Sequence, residues 1–475
     1  MGAMSPAGVA VRPPDPVPVD GRLRMLTALY VTQFLGFGFI TIGLTGILRA
    51  GGTSLDTLAL LNLIGLIWPV KFLWAPIVDR YGPRRGGHYR SWLLVLQTGM
   101  VLALLALLVF DPATGRIGPI VLICALFVFL SATQDIAADA VAVRLLSRSD
   151  RGPGNGIQVA ASYVGNILGG GACVVVYDRF GWAAAVGLLA GLTATGLLVV
   201  WRFREPDRVA KPAGTRQAYG ALLSVLRQPG CRGWVLGVVP FIYTGAGAAY
   251  ALVSPALVDA GWSLSRIGLV TGVVTSVPAV IAGLVAGGLV NRIGRSGVLL
   301  AGGVSLAVAT ASLLPMLTGR AVTGFTTVAL CCFMAAYTVA NVALYTVNMD
   351  YSRPASGGTD FTVLSSFGLV CSYLAAAVGL AVAARVGYVT VAVAAIVLML
   401  AGVVMGLRHQ RRHRPAAAAG PTGPTSTTVP GSPGQWSDEH GVLAPAGERH
   451  QAADVLPAED PHAAQHPRVG VGHGQ

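Results

Sequence analysis

The stretch LLNLIGLIWPVKFLWAPIVDRYGPRRGGHYRSWLLVLQTGMVLALLALLVF, Leu60 to Phe110, decides the fold. Its first part is apolar apart from Asn62 and Lys71, its middle from Asp79 to Arg90 is crowded with charge, and its last part from Ser91 to Phe110 carries none. A bilayer core about 30 Å thick takes roughly 20 apolar residues wound as a helix. The stretch therefore reads as two membrane helices joined by a short basic hairpin. Outward from it, similar apolar runs recur in both directions, at about 23-48, 57-78, 91-110, 118-143, 155-177, 181-202, 232-257, 265-288, 296-318, 322-349, 359-384 and 387-407. The expected fold class is all-α integral membrane with twelve transmembrane helices. A membrane barrel is excluded, because its strands alternate over about ten residues instead of running continuously apolar.

Composition agrees. Of 475 residues, 54% are hydrophobic and 11% charged, against about a quarter charged in a soluble domain. The net charge of +13 has a topological explanation. With loops assigned to alternate sides, one side holds Arg80, Arg84, Arg85, Arg90, Arg144, Arg148, Arg151, Arg292, Arg295 and Arg353, both terminal flanks and the stretch Arg202 to Arg232; the other holds Arg49, Arg116, Arg179, Arg266, Arg320 and Arg385, one per loop. Cytoplasmic loops collect arginine and lysine, so both termini are expected in the cytoplasm of a chain crossing the cytoplasmic (inner) membrane many times. Basic loops facing anionic lipid need no nucleic acid partner. The cysteines Cys124, Cys173, Cys231, Cys331, Cys332 and Cys371 lack metal-ligand spacing and read as small packing residues.

The expected organisation is a disordered cytoplasmic tail over 1-21, a six-helix bundle over 22-202, a cytoplasmic linker over 203-231, a second six-helix bundle over 232-407 and a disordered cytoplasmic tail over 408-475, too rich in Pro, Ala, Gly and His to build a core. No small-residue cleavage site follows the first apolar run, so it is not read as a signal peptide. A faint repeat supports the two halves: Ala50, Gly51, Ser54 and Leu55 return as Ala260, Gly261, Ser263 and Leu264, and Asp79 to Gly82 return as Asn291 to Gly294, offset by about 210 residues.

There is no GxxxxGKS/T phosphate loop, so energy must come from a gradient or a partner, and the chain is not read as an enzyme. The hairpin APIVDRYGPRR, Ala75 to Arg85, resembles the signature loop of the major facilitator superfamily, although Ala75 stands for the usual glycine and Pro83 interrupts the basic run. The resemblance implies two pseudo-symmetric bundles and a gating role for Asp79, Arg80, Gly82, Arg84 and Arg85, with Arg144 supporting Asp79 and a weaker second copy at Asn291 and Arg292. LRAGGTSLDTLALLNLIGLIWPVKFLWAPIVDR (Leu48 to Arg80), SATQDIAADAVAVRLL (Ser131 to Leu146) and GNGIQV (Gly154 to Val159) are similar to a subgroup that contains the AmpG muropeptide permeases and the siderophore permeases of the rhizobactin and pyochelin type. GNGIQV with Gly165, Gly169, Gly170 and Gly171 leans to the siderophore side.

Independently, an acid in the middle of a membrane helix costs about 2.5–3.5 kcal/mol on insertion scales and marks function by default. Asp135 and Asp139 lie one turn apart with Ser131 on the same face; Lys71 lies at similar depth on the second segment. These three are the expected proton-coupling residues, with an ion pair that only ties helices together as the structural alternative. Tyr337, Asn341, Tyr345 and Asn348 form a neutral polar stripe on the tenth segment, and with Gln33, Gln134, Tyr163, Asn166 and Tyr243 they are the expected lining of a substrate cavity; bonding between neighbouring helices is the alternative. The glycines of the fifth segment read as close helix packing. The expectation is a secondary permease, working as a monomer and without cofactor or resident metal, that moves a polar small-molecule solute with protons by alternating access. A drug or metabolite exporter, a membrane-embedded enzyme and a transport-dead sensor remain open.

Overall fold

A computed structural model describes residues 19–413 except 55–57, 59–60, 62, 84–86, 113–116 and 206–213. Arg84, Arg85 and Arg116, the N-terminal tail through residue 18 and the C-terminal tail from residue 414 lie outside the described residues. Among the described residues every regular element is helical, and nine stretches are long and apolar enough to cross a membrane. They are α1 (Gly21–Ala50), α3 (His88–Leu107), α4 (Ile117–Leu145), Arg151–Arg202, α7 (Cys231–Asp259), Ser265–Leu317, α10 (Thr323–Tyr351), Pro354–Val386, which contains α11 (Gly357–Val386), and α12 (Tyr388–Arg412).

Two of these are 52 and 53 residues long, twice what a bilayer needs, and each is broken by one glycine. Gly181 (φ 79°) separates α5 (151–180) from α6 (182–202), and Gly294 (φ 74°) separates α8 (265–293) from α9 (295–317). A positive φ costs glycine little and other residues much, so these two positions turn the chain where hydropathy places loops. The segmented α2, described at 58, 61 and 63–80, lies between α1 and α3, and the described elements follow the order of the segments read from the sequence.

The second segment departs from expectation. In place of one continuous helix, the chain forms a 3-10 turn at Ile64–Leu66, a short α-helix at Ile67–Val70, another 3-10 turn at Lys71–Leu73 and a fresh helix at Ala75–Arg80. Pro69 and Pro76 explain it, since each removes an amide donor and crowds the carbonyl four residues earlier. Lys71 sits in the resulting break.

Among the described residues, apolar side chains pack in four clusters that follow the halves of the chain. One is built from α7 to α12 alone, around Leu252, Leu306, Phe333 and Met399; another, around Phe39, Met100, Phe127 and Leu189, belongs to the first half. The clusters nearer the basic loops exchange members: Met349 and Phe361 pack into the first half, Val159 and Tyr163 into the second. Large apolar residues such as Val95, Leu122, Val308 and Leu374 are exposed, which suits a lipid-facing surface. The linker contains a helix, Thr215–Ser224. It lies across the basic end, tied to α2 by Tyr81 and Thr215 (2.9 Å) and to the segment before α11 by Arg353 and Ser224 (2.9 Å). All six cysteines are free thiols.

Candidate functional site: a buried acid pair and a latch at the basic end

On α4, Ala132, Ala137, Ala138, Ala140 and Ala142 are buried, and these small side chains let α1, α2 and α5 approach the polar face between them. Asp135 is 3% exposed and Asp139 is 0% exposed. Asp135 accepts a hydrogen bond from Gln33 Nε2 on α1 at 2.6 Å and forms an ion pair with Lys71 of α2, itself 2% exposed. The ammonium also lies 5.6 Å from the ring centre of Trp68, which stacks on Phe34. A cation over an indole gains further stabilisation. The proline-induced break in α2 thus puts the one intramembrane lysine against an acid of α4.

Asp139 is held differently. Tyr30 Oη of α1 (3.0 Å) and Gln158 Nε2 of α5 (2.8 Å) both donate to its Oδ1, whereas its Oδ2 has no partner among the described residues. Gln33 and Gln134 are fixed by backbone contacts, Ser131 Oγ donating to the Gln33 carbonyl (2.8 Å) and Gln134 Nε2 to the Leu29 carbonyl (3.2 Å). Four helices therefore converge on two carboxyls. Breaking a buried ion pair by removing one partner costs about 3–5 kcal/mol because the other charge is stranded, so the state of this cluster is tied to the packing of the whole first half.

The polar stripe of α10 divides. Tyr243 of α7 donates to Asn341 Oδ1 at 2.6 Å, and Thr338 Oγ1 donates to Tyr163 Oη at 3.1 Å, joining α10 to α5 across the halves. Tyr337, Asn341 and Tyr345 are partly buried, as is Asn166, and Tyr345 meets Phe361 edge-on with ring centres 5.6 Å apart. Asn348 is wholly buried and accepts from Trp234 Nε1 at 2.8 Å, a tie between α10 and α7 beside the basic end.

Asp79 at the end of α2 is 3% exposed and caps another helix. The Thr359 amide, in the first turn of α11, donates to its Oδ2 at 2.7 Å, and Tyr89 Oη donates to Oδ1 at 2.9 Å. A carboxylate there meets unpaired amides and the positive end of the helix dipole. Glycine at 358 leaves room for this contact, since a Cβ there would lie 2.5 Å from Asp79 Oδ1 and push the carboxylate aside. Gly82 has a similar constraint: its Cβ would meet the His88 ring at 2.4 Å. Arg144 lies 5.6 Å from the ring of Tyr89, which donates to Asp79, and bonds to Glu205 at 2.6 Å. Arg80 lies over Tyr81 at 5.5 Å.

In the second half, Asn291 and Arg292 are exposed, and the ionic contacts there come from other residues. Arg151 at the start of α5 and Arg295 at the start of α9 both bond to Asp350 of α10, at 3.0 and 3.1 Å, and Arg295 also donates to the Arg148 carbonyl at 2.6 Å. Tyr30, Gln158, Glu205, Asp350 and Thr359 were not singled out from the sequence. Glu205 and Asp350 had a signal, being rare acids on a side crowded with arginine; Tyr30 and Gln158 had none, because their role depends on which helix faces which.

The profile of the Major Facilitator Superfamily matches residues 25–380. An uncharacterized protein of Haemophilus influenzae Rd is 28% identical over 252 residues, covering 51% of this chain and 58% of that protein. The anhydromuropeptide permease of Escherichia coli K12 is 27% identical over 243 residues, covering 50% of this chain and 49% of the permease. The chain thus spans about half the length of these curated relatives. Among solved structures, the human organic anion transporter MFSD10 superposes with a TM-score of 0.64 at 16% identity, over 82% of this chain and 99% of that one. The proton:xylose symporter XylE superposes with a TM-score of 0.59 at 14% identity, over 84% and 97%. At such identities the likeness is one of fold.

Proposed function

Because the chain belongs to the major facilitator superfamily, we propose that it is a proton-coupled permease of the cytoplasmic membrane that takes up a polar, muropeptide-like solute by alternating access. The observation that carries this reading is the buried acid pair, Asp135 on Lys71 and Asp139 on neutral donors. Two carboxyls one turn apart in a membrane helix are too costly to persist for packing alone. Protonation at the pair cancels the charge that holds Lys71, and loosening that contact permits the six-helix halves to rock about the midplane. The neutral stripe of α10, with Tyr337, Asn341 and Tyr345 partly buried, faces the solute in this reading. The Asp79 contact with α11 and the two arginines on Asp350 hold the cytoplasmic side shut and part when it opens. Uptake of muropeptides is supported by the anhydromuropeptide permease among the relatives. A siderophore is the second solute reading, favoured by the string GNGIQV at Gly154 to Val159, which supplies Gln158 to Asp139.

The test is gradient-driven uptake beside counterflow in vesicles holding the full chain. Asp135→Asn is expected to abolish uphill accumulation while sparing exchange, and adding Lys71→Met is expected not to restore accumulation. Full uphill uptake by Asp135→Asn removes the coupling role; rescue in the double variant assigns the pair to structure. Competition by an anhydromuropeptide against a ferric siderophore separates the two solutes.

A further inference from the structure

A second polar site lies at the basic end, away from the acid pair. A cavity of about 480 Å³ opens between the start of α5, the α8–α9 turn at Gly294 and the ends of α10 and α12. Arg148, Arg151 and Arg295 line it against a single acid, Asp350, and His409, Gln410 and His413 complete one wall. Asp350 is engaged by Arg151 and Arg295 together, so one carboxylate faces three guanidinium groups and a positive excess remains.

The hydrogen-bond account of the wall points the same way. Gln410 Oε1 accepts from Ser296 Oγ, but Gln410 Nε2 is buried without an acceptor among the described residues, as is Arg151 Nε. The Arg148 side chain is exposed and has no partner among the described residues; only its carbonyl is used, by Arg295. The surplus is therefore of donors and of positive charge, and buried donors without acceptors cost free energy. His409 donates to or accepts from Tyr351 Oη at 2.8 Å and stacks on His413 with ring centres 4.4 Å apart. Gly230 (φ 82°) brings the end of the linker against this pair, where a Cβ would lie 2.7 Å from the His413 ring.

We propose that this cavity binds a phosphate-bearing anion, whose oxygens take the surplus donors of Arg148, Arg151 and Gln410. Guanidinium groups suit phosphate because their planar forks bond two oxygens at once. Arg148 and Arg151 belong to the first half, and Arg295, Gln410 and the histidines to the second. An anion here bridges the halves and stabilises the form in which the basic end is closed. Two sources share the chemistry: the headgroup of an anionic lipid and a soluble phosphate monoester.

The experiment measures thermal unfolding of the full chain in nanodiscs. One arm compares phosphatidylglycerol with phosphatidylcholine; the other adds glycerol 3-phosphate to phosphatidylcholine discs. Wild type is expected to be stabilised in at least one arm, and the arm identifies the source. Arg148→Gln is expected to require about tenfold more ligand for the same shift, the usual worth of one charge-assisted bond. Gln410→Glu keeps the acceptor for Ser296 and puts a carboxylate in place of the free amide, so it is expected to abolish the shift. Arg216→Gln, an exposed arginine outside the cavity, controls for general surface charge and is expected to behave as wild type. The proposal is overturned if neither arm stabilises wild type, or if Arg148→Gln and Gln410→Glu respond as Arg216→Gln does. Because the readout is binding, it stands apart from whether the chain couples protons to uptake.

Discussion

Asp79 shows how a single residue links two halves of a chain. Its carboxylate lies at the first turn of α11, 280 positions away in sequence, and takes the Thr359 amide at 2.7 Å. Asp79→Asn keeps the shape but loses the charge that the helix end attracts. Gly358→Ala keeps the charge and drives a Cβ to 2.5 Å from Oδ1. Both are expected to loosen the basic end by about 1.5–3 kcal/mol, the range for a hydrogen bond to a charged group. The measure is labelling of a cysteine at Tyr345 by an impermeant reagent applied to the basic side, in a background lacking native cysteines. Labelling should rise at least several-fold in both variants, and an unchanged rate in both would deny Asp79 a gating role. At this scale the acids, the lysine and the signature loop were legible because charge in an apolar run stands out. Their partners were not: Tyr30 and Gln158 look like ordinary membrane-helix residues until Asp139 is found between them.

Between elements, backbone approaches backbone closely along α5 and α8. A Cβ on Gly156 would be 2.6 Å from the Gly283 carbonyl oxygen, and one on Gly152 would be 2.8 Å from the Gly287 carbonyl. Backbone cannot yield as a flexible side chain can, so Gly156→Val is expected to cost about 1–3 kcal/mol by overpacking. A lowered melting temperature of the purified protein reports it. Gly187→Val, where a Cβ meets nothing within 4 Å, should melt as wild type does; equal melting of both variants would refute the seam. Reading these glycines as close packing was within reach of the sequence. The partner of each was not, since Gly156 meets α8 whereas Gly165 and Gly169 meet α1 at Phe34 and Leu35. The segmented α2 shows the opposite case. Pro69 and Pro76 were visible, but hydropathy averages over a window and reports an apolar run whether or not its backbone is continuous.

For the whole molecule, the arginine bias predicts the orientation of the chain. A reporter enzyme fused after His413 is expected to be active only in its cytoplasmic form, and one placed at Gly319, in the opposite set of loops, only in its external form. The reverse pattern would invert the topology and move the Asp79 contact and the anion cavity to the outer face. At the basic end, Asp79 with Thr359 and Arg151 with Asp350 join the two halves of the chain, while Arg295 with Asp350 ties two helices of the second half, so these contacts need both halves in place.

The sequence by itself determined that the chain crosses a membrane as helices, roughly where each helix runs, and which side collects positive charge. Those properties follow from transfer of each local segment between water and lipid, a sum over neighbours in the chain. It also marked Lys71, Asp135 and Asp139, whose burial is costly wherever the helices go. Only the tertiary structure decided that Lys71 pairs with Asp135 while Asp139 rests on Tyr30 and Gln158, that Arg295 and not Arg292 bonds Asp350, and that donors outnumber acceptors around Arg148 and Gln410. Hydrogen bonds and ion pairs act over a few ångströms between residues far apart in the chain, and which of them form depends on the rotation and depth of helices that hydropathy alone leaves free.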